Sequence, residues 1–123
     1  MGLKILHVED DPDIQEIAKL SLETIGGFEI LQCSSGKQAL EEAPSFQPDL
    51  FLFDVQMPEM SGDALYQEFK MMPDMEKTPV IFMTARAQAK DIAALKELGA
   101  LEVVTKPFDP MTLPDQIREI LAR

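Results

Sequence analysis

The chain has 123 residues, 46% of them apolar and 27% charged, with a net charge of −11. That size and balance suit one globular domain over residues 1–123, and a surface this acidic repels phosphate backbones, which argues against direct nucleic-acid binding. No apolar run approaches the roughly 20 residues that span a bilayer, and no leader pattern surrounds Lys4, so a cytoplasmic protein without membrane contact is expected.

In chain order, Leu3 to Val8 reads as a strand. Pro12 then opens a helix, with Asp11 as its N-cap and Asp13 near its positive end. Ile14, Ile17, Ala18, Ser21, Leu22 and Ile25 recur with helical period, and Gly26-Gly27 ends the segment. Phe28 to Cys33 is a short strand. Cys33, the only cysteine, is expected as a small half-buried residue, since one thiol makes neither an internal disulfide nor a thiolate cage. A helix over about 36–43 comes next, with Pro44 beyond it. Asp49 to Phe53 is almost continuously apolar, as in a strand buried on both faces. Ser61 to about Met71 is helical, Pro79 to Met83 is a second buried strand, and a helix over about 88–98 stops at Gly99. Leu101 to Val104 is the last strand; Leu113, Ile117, Ile120 and Leu121 form the inner face of the last helix.

Five strands alternating with five helices imply an α/β fold, a doubly wound parallel sheet covered on both faces. Ligands of such sheets sit beyond the carboxyl ends of the strands. The residues there are Glu9, Asp10 and Asp11 after the first strand, Ser34 and Ser35 after the second, and Asp54 after the third. Thr84 comes after the fourth, and Thr105 and Lys106 after the fifth. Carboxylates converging at roughly 4 Å repel by about 4 kcal/mol per pair at an effective dielectric near 20. Lys106 neutralises one charge and a divalent cation would neutralise two more; all-oxygen donors favour Mg²⁺ or Mn²⁺ over zinc. A carboxylate, a lysine, a hydroxyl and Mg²⁺ make a phosphoryl-transfer site, in which an aspartate can become an acyl phosphate. Asp11 and Asp13 read instead as helix-start acids, and His7 as a packed strand histidine.

Four motifs at these strand ends resemble the receiver domains of two-component response regulators, and the likeness runs from about Leu3 to Leu121. They are Val8-Glu9-Asp10, Asp54-Val55-Gln56-Met57-Pro58 with Ser61-Gly62, Met83-Thr84-Ala85, and Lys106-Pro107-Phe108. The resemblance implies a flavodoxin-like sheet in the order 2-1-3-4-5. It implies that Asp54 takes a phosphoryl group from a sensor histidine kinase or a histidine phosphotransfer protein. Asp10, Asp54 and the backbone carbonyl of Gln56 would hold Mg²⁺, with Glu9 more loosely attached. Lys106 and Thr84 would contact phosphoryl oxygens, and the Lys106-Pro107 bond would be cis. Such a domain is a signalling module rather than an enzyme, and its downstream target or effector domain is not specified by these residues.

Gln56 and Arg86 occupy positions that, in the family, influence how long the acyl phosphate survives; a long amide and a cation shielding it imply minutes or more. Val103 stands where many receivers carry an aromatic ring three positions before the lysine. With no ring to swing, output through the face of the fourth helix, fifth strand and fifth helix is expected to be subtler, to use another surface, or to be replaced by relay or drainage of phosphate. Two other classes fit less well. A small-molecule phosphatase of the haloacid-dehalogenase type would carry a second Asp where Gln56 stands, and a phosphorylation-independent pseudo-receiver would not need Asp10, Asp54, Thr84 and Lys106 together.

Overall fold

The computed structural model describes residues 2–86 and 88–123. Five strands, β1 (Lys4–Val8), β2 (Glu29–Cys33), β3 (Leu50–Asp54), β4 (Val80–Thr84) and β5 (Glu102–Thr105), alternate with α1 (Pro12–Lys19), α2 (Gly36–Phe46), α3 (Gly62–Lys70), α4 (Ala89–Glu97) and α5 (Leu113–Leu121). All pairings are parallel, in the order β2-β1-β3-β4-β5. The doubly wound sheet is as the alternation of elements implies, and the strand order is the one the family resemblance implies.

Successive strand residues point to opposite faces of a sheet. Here each set meets its own helices. Leu6, Val8, Phe51, Phe53, Val80 and Phe82 pack against Ala39 and Ala43 of α2, Leu65 and Phe69 of α3, and Leu95 of α4. Ile5, Leu50, Leu52, Ile81, Met83 and Val104 pack against Leu113, Ile117 and Ile120 of α5 and against Leu22. Phe51 and Phe69 stack with centroids 4.6 Å apart, which ties α3 to the central strand. Both central strands are buried throughout, so β3 and β4 have no solvent face.

Three local features differ from the sequence reading. First, α1 does not run on as an α-helix. Leu20–Ile25 forms a wider π-helical stretch, in which the Gly26 N–H donates to Ser21 O at 2.9 Å, five residues back. The wider turn rotates the residues at its end, so Ile25 is 42% exposed while Ser21 and Leu22 are buried. Ile17 lies at the edge of the buried face and is also exposed. Second, Pro44 lies inside α2 rather than beyond it. It sits in the last turn, where its missing N–H costs one bond near an exposed end. The helix closes at Gln47, left-handed at φ 57°, whose N–H donates to Ala43 O at 2.9 Å. Third, β3, β4 and β5 each run one residue further, because Asp54, Thr84 and Thr105 belong to the ladder, Asp54 paired with Met83 and Thr84 with Thr105. Among the described residues, no helix is long and apolar enough to cross a membrane.

Candidate functional site

The carboxyl edge of the sheet carries the site, and backbone bonds fix each member. The Glu9 N–H donates to Cys33 O at 3.0 Å, Val55 N–H to Met83 O at 2.9 Å, and Lys106 N–H to Thr84 O at 2.8 Å. Asp11 caps α1, accepting from the Asp13 N–H at 2.8 Å, with Pro12 in the first turn. Gly62 opens α3 directly against Asp54: a Cβ there would lie 2.3 Å from Asp54 O. The peptide bond between Lys106 and Pro107 is cis.

These constraints gather Glu9, Asp10 and Asp54, whose carboxylate oxygens lie within 4.8 Å of one another. Glu9 and Asp54 are each only 1% exposed; Asp10 is exposed at the mouth. The Lys106 ammonium donates to Glu9 Oε1 and to Asp54 Oδ1, both at 3.0 Å. One cation therefore serves two buried anions, with a third beside them.

The protonation equilibria reflect that shortage. Burial pushes Glu9 up to about 7, against the opposing pull of Lys106. Burial also raises Asp54, and neighbouring Asp10 adds to the shift, although Lys106 is in contact. Burial disfavours the Lys106 charge, but its bonds to Asp54 and Glu9 outweigh that and hold the ammonium above its ordinary range. His7, on β1 below Glu9, is fully buried; burial, then the Lys106 charge, lower it to about 4, so it is neutral. Its Nδ1 lies 3.1 Å from Gln32 Nε2. Burial, then Glu42, pushes the Cys33 thiol up to about 12, which makes it an inert packed residue, more deeply buried than expected.

With all three carboxylates ionised, one ammonium would leave two negative charges uncompensated on a donor set made only of oxygen. That fits a hard divalent cation such as Mg²⁺ or Mn²⁺, which Glu9, Asp10 and Asp54 could hold.

The other expected members fall around this cluster. Thr84 ends β4 and is 1% exposed. Gln56 lies in the loop after β3, where Met57 N–H and Gly62 N–H both donate to Val55 O at 3.1 Å and fold the loop back toward Asp54. Thr105 is exposed and makes no side-chain hydrogen bond to the cluster among the described residues. Ser35 caps α2 through the Gln38 N–H, and Ser34 bonds Gln38 Oε1, so neither serves the site.

One participant was not foreseen from the sequence, and a second takes an unforeseen direction. Gln15 Nε2 donates to Glu9 O at 2.5 Å, bracing the acidic loop from α1. The Gln56 side chain, expected to shield the acyl phosphate, is instead turned onto Thr84 and Ala85. Glutamine has no sequence signature for either task, because its direction depends on the fold of its surroundings.

The family model of the response regulator receiver domain matches residues 5–118, and the chain belongs to that family. It is 38% identical over 119 residues to the transcriptional regulatory protein CseB of Streptomyces coelicolor, an alignment covering 97% of this chain and 49% of that one. The chain thus spans about half the length of the curated relatives it matches. Among solved structures, chemotaxis protein CheY4 of Vibrio cholerae superposes with a TM-score of 0.89 at 27% identity, covering 98% of this chain and 99% of that one. The signal receiver domain of a histidine kinase from Syntrophus aciditrophicus gives 0.83 at 34% identity, covering 98% and 91%. Receiver domains are signalling domains of two-component systems, and this chain has their fold and their acidic cluster.

Proposed function

We propose that Asp54 is the phosphoacceptor of this receiver, which works in the cytoplasm and takes its phosphoryl group from a phosphohistidine of a sensor histidine kinase or a histidine phosphotransfer protein. The observation that carries this reading is the placement of Asp54. It is a buried carboxylate at the end of the central strand, 3.0 Å from Lys106 and clustered with Glu9 and Asp10.

A divalent cation, when bound, would neutralise the acids and the incoming phosphoryl oxygens. The chain's own residues supply the rest. An Asp54 oxygen attacks phosphorus, the P–N bond breaks, and the imidazole nitrogen leaves with the bonding pair and takes up a proton. Lys106 then pairs with a phosphoryl oxygen instead of with two carboxylates. Thr84 and the N–H groups after it donate to another. The protein's work is positioning and charge compensation, as expected for phosphoryl transfer. Gln56 and Arg86 flank the acyl phosphate, which should survive for minutes or longer. The relatives twice this length carry further sequence, so an effector or partner reading the phosphorylated state belongs to the same proposal.

Incubation with Mg²⁺ and acetyl phosphate, followed by intact mass, tests it. One phosphoryl adduct, absent from Asp54→Asn, is the expected result. No adduct would identify a binding module instead, and turnover of sugar phosphates would identify an enzyme.

A further inference from the structure

The side chain of Gln56 is exposed, yet its carboxamide is turned back onto the end of β4. Its Nε2 lies 2.8 Å from Thr84 Oγ1, and its Oε1 lies 3.1 Å from the same oxygen. That Oε1 also accepts from the Ala85 N–H at 3.2 Å. The Arg86 N–H donates to Thr84 Oγ1 at 2.9 Å. A hydroxyl has one proton and two lone pairs. For Thr84 all three are engaged: the proton toward Gln56 Oε1, the lone pairs toward the Gln56 amide and Arg86. The first backbone donor of the loop after β4 is engaged by the same Gln56 oxygen.

Those two donors, the Thr84 hydroxyl and the Ala85 N–H, are what the end of β4 offers to an anion on Asp54, one strand away in the ladder. Gln56 Oε1 therefore makes the contacts that a phosphoryl oxygen would make. We propose that Gln56 is a latch on the acceptor site. Its carboxamide holds the Thr84 and Ala85 donors in the unphosphorylated state and must release them before they can bind a phosphoryl group. Gln56 is thus a positioning residue that sets how readily the site closes on phosphate. This rests on the reading of Asp54 as phosphoacceptor.

The released carboxamide has somewhere to go. Gln56 lines a depression of about 200 Å³ shared with Asp63, Arg86 and Asp91, whose polar groups can replace the partners it gives up. The latch then costs the site about one net hydrogen bond, a factor of about two to ten in an equilibrium constant. The sign of the effect separates a latch from a plain loop brace. Removing a latch tightens phosphate-analogue binding; removing a brace loosens the loop and weakens it.

The test uses the whole chain with Gln56→Met, which keeps the length and the backbone carbonyl but has no carboxamide, and with Gln56→Ala. Titration with beryllofluoride in saturating Mg²⁺ should show affinity about two- to tenfold tighter than wild type in both variants. Without Mg²⁺ and beryllofluoride, the Ala85 amide should exchange with solvent faster in both variants than in wild type, by a similar factor. Equal or weaker beryllofluoride binding, or an Ala85 amide that exchanges as in wild type, overturns the latch. Loss of the fold in both variants overturns it too, because a latch that opens cannot be essential to folding. If wild type itself fails to bind beryllofluoride, the reading of Asp54 falls, and the latch with it. If wild type binds and the variants gain nothing, only the latch falls.

Discussion

The ammonium of Lys106 lies 3.0 Å from Asp54 Oδ1, a contact that closes 52 positions of sequence. The Lys106 N–H is bonded to Thr84 O, so the reach of the side chain is fixed by the β4–β5 edge rather than by a free loop. The same ammonium holds Glu9.

Lys106→Met keeps the bulk of the side chain and removes its charge, leaving two nearly buried carboxylates without a counter-ion. Truncating one partner of a buried ion pair costs about 3 kcal/mol or more. Urea denaturation in EDTA at pH 8 should show that loss. At pH 5 it should shrink, because the carboxyls then take up protons instead of repelling. A loss of equal size at both pH values would mean that Lys106 acts through packing alone.

Two buried groups give opposite pH slopes. Glu9, raised by burial from 4.5 to about 7, keeps a proton that the unfolded chain releases. Its contribution to stability is full below about 4.5 and is lost as pH rises through about 7. His7, lowered by burial from 6.5 to about 4, refuses a proton that the unfolded chain accepts. Its contribution is full above about 6.5 and is lost as pH falls through about 4. Between pH 4.5 and 6.5 the two oppose each other, and metal-free wild type should show a shallow profile. Glu9→Gln should uncover a rise in stability from pH 4 to 6.5, and His7→Asn a fall from pH 4.5 to 7. Urea midpoints across that range decide it; a flat Glu9→Gln profile would show that His7 does not stay neutral.

A divalent cation should stabilise the fold through the acids it neutralises. Ligand present at 100 times its dissociation constant stabilises by about 2.7 kcal/mol. Thermal unfolding should therefore shift upward with Mg²⁺ in wild type and in Asp13→Asn, a helix-start control. Asp10→Asn and Asp54→Asn should lose most of the shift. Without metal, Asp54→Asn should be at least as stable as wild type, since it removes one charge from a crowded cluster. A full Mg²⁺ shift in Asp10→Asn would place the cation elsewhere.

The parts of this molecule that could be read from its sequence are those set by neighbours along the chain. The apolar runs of β3 and β4, the Asp11 cap and the polar residues at four strand ends each carry a local signal. Register does not. That Asp54 and Thr84 lie inside the ladder, and that one lysine spans Glu9 and Asp54, comes from how strands align across the sheet. The π-helical stretch at Leu20–Ile25 is hidden in the sequence because its apolar spacing is also that of an α-helix, which would bury Ile25. Pro44 has the form of a stop signal, yet one lost bond near a helix end is tolerated. The direction of the Gln56 side chain has no signal at all.

Gly62, at the start of α3, packs directly against the end of β3. A Cβ at this position would lie 2.3 Å from Asp54 O and 3.2 Å from Phe53 Cβ, and the first of these atoms is backbone that cannot turn aside. Gly62→Ala should therefore cost about 1–3 kcal/mol, the usual range for overpacking. It should also slow phosphorylation of Asp54, because relief of the clash moves the acceptor. Denaturation and acetyl phosphate kinetics would show both effects. Normal kinetics with lowered stability would mean that the loop, not Asp54, gives way.

If Asp54 is the acceptor as proposed, Val103 bears on how its phosphorylation is transmitted. It is 9% exposed and packs with Phe82 and Leu95 in the core beneath α4. A valine there has no ring to exchange between buried and exposed positions when Thr84 moves. Nearby, Glu102 is tied to Arg123 at 2.8 Å and to Lys96 at 2.9 Å, which holds its carboxyl down at about 2 and links α4, β5 and the end of α5. Both features resist rearrangement of that face. Amide spectra recorded with and without beryllofluoride should accordingly change around Asp54 to Gly62 and Thr84 to Arg86, and change little from Glu102 to Thr105 and along α5. An unaltered face there would exclude it as the output surface and direct the search for a partner to the loops around Asp54. Large shifts through β5 and α5 would show that a receiver transmits through this face without an aromatic ring.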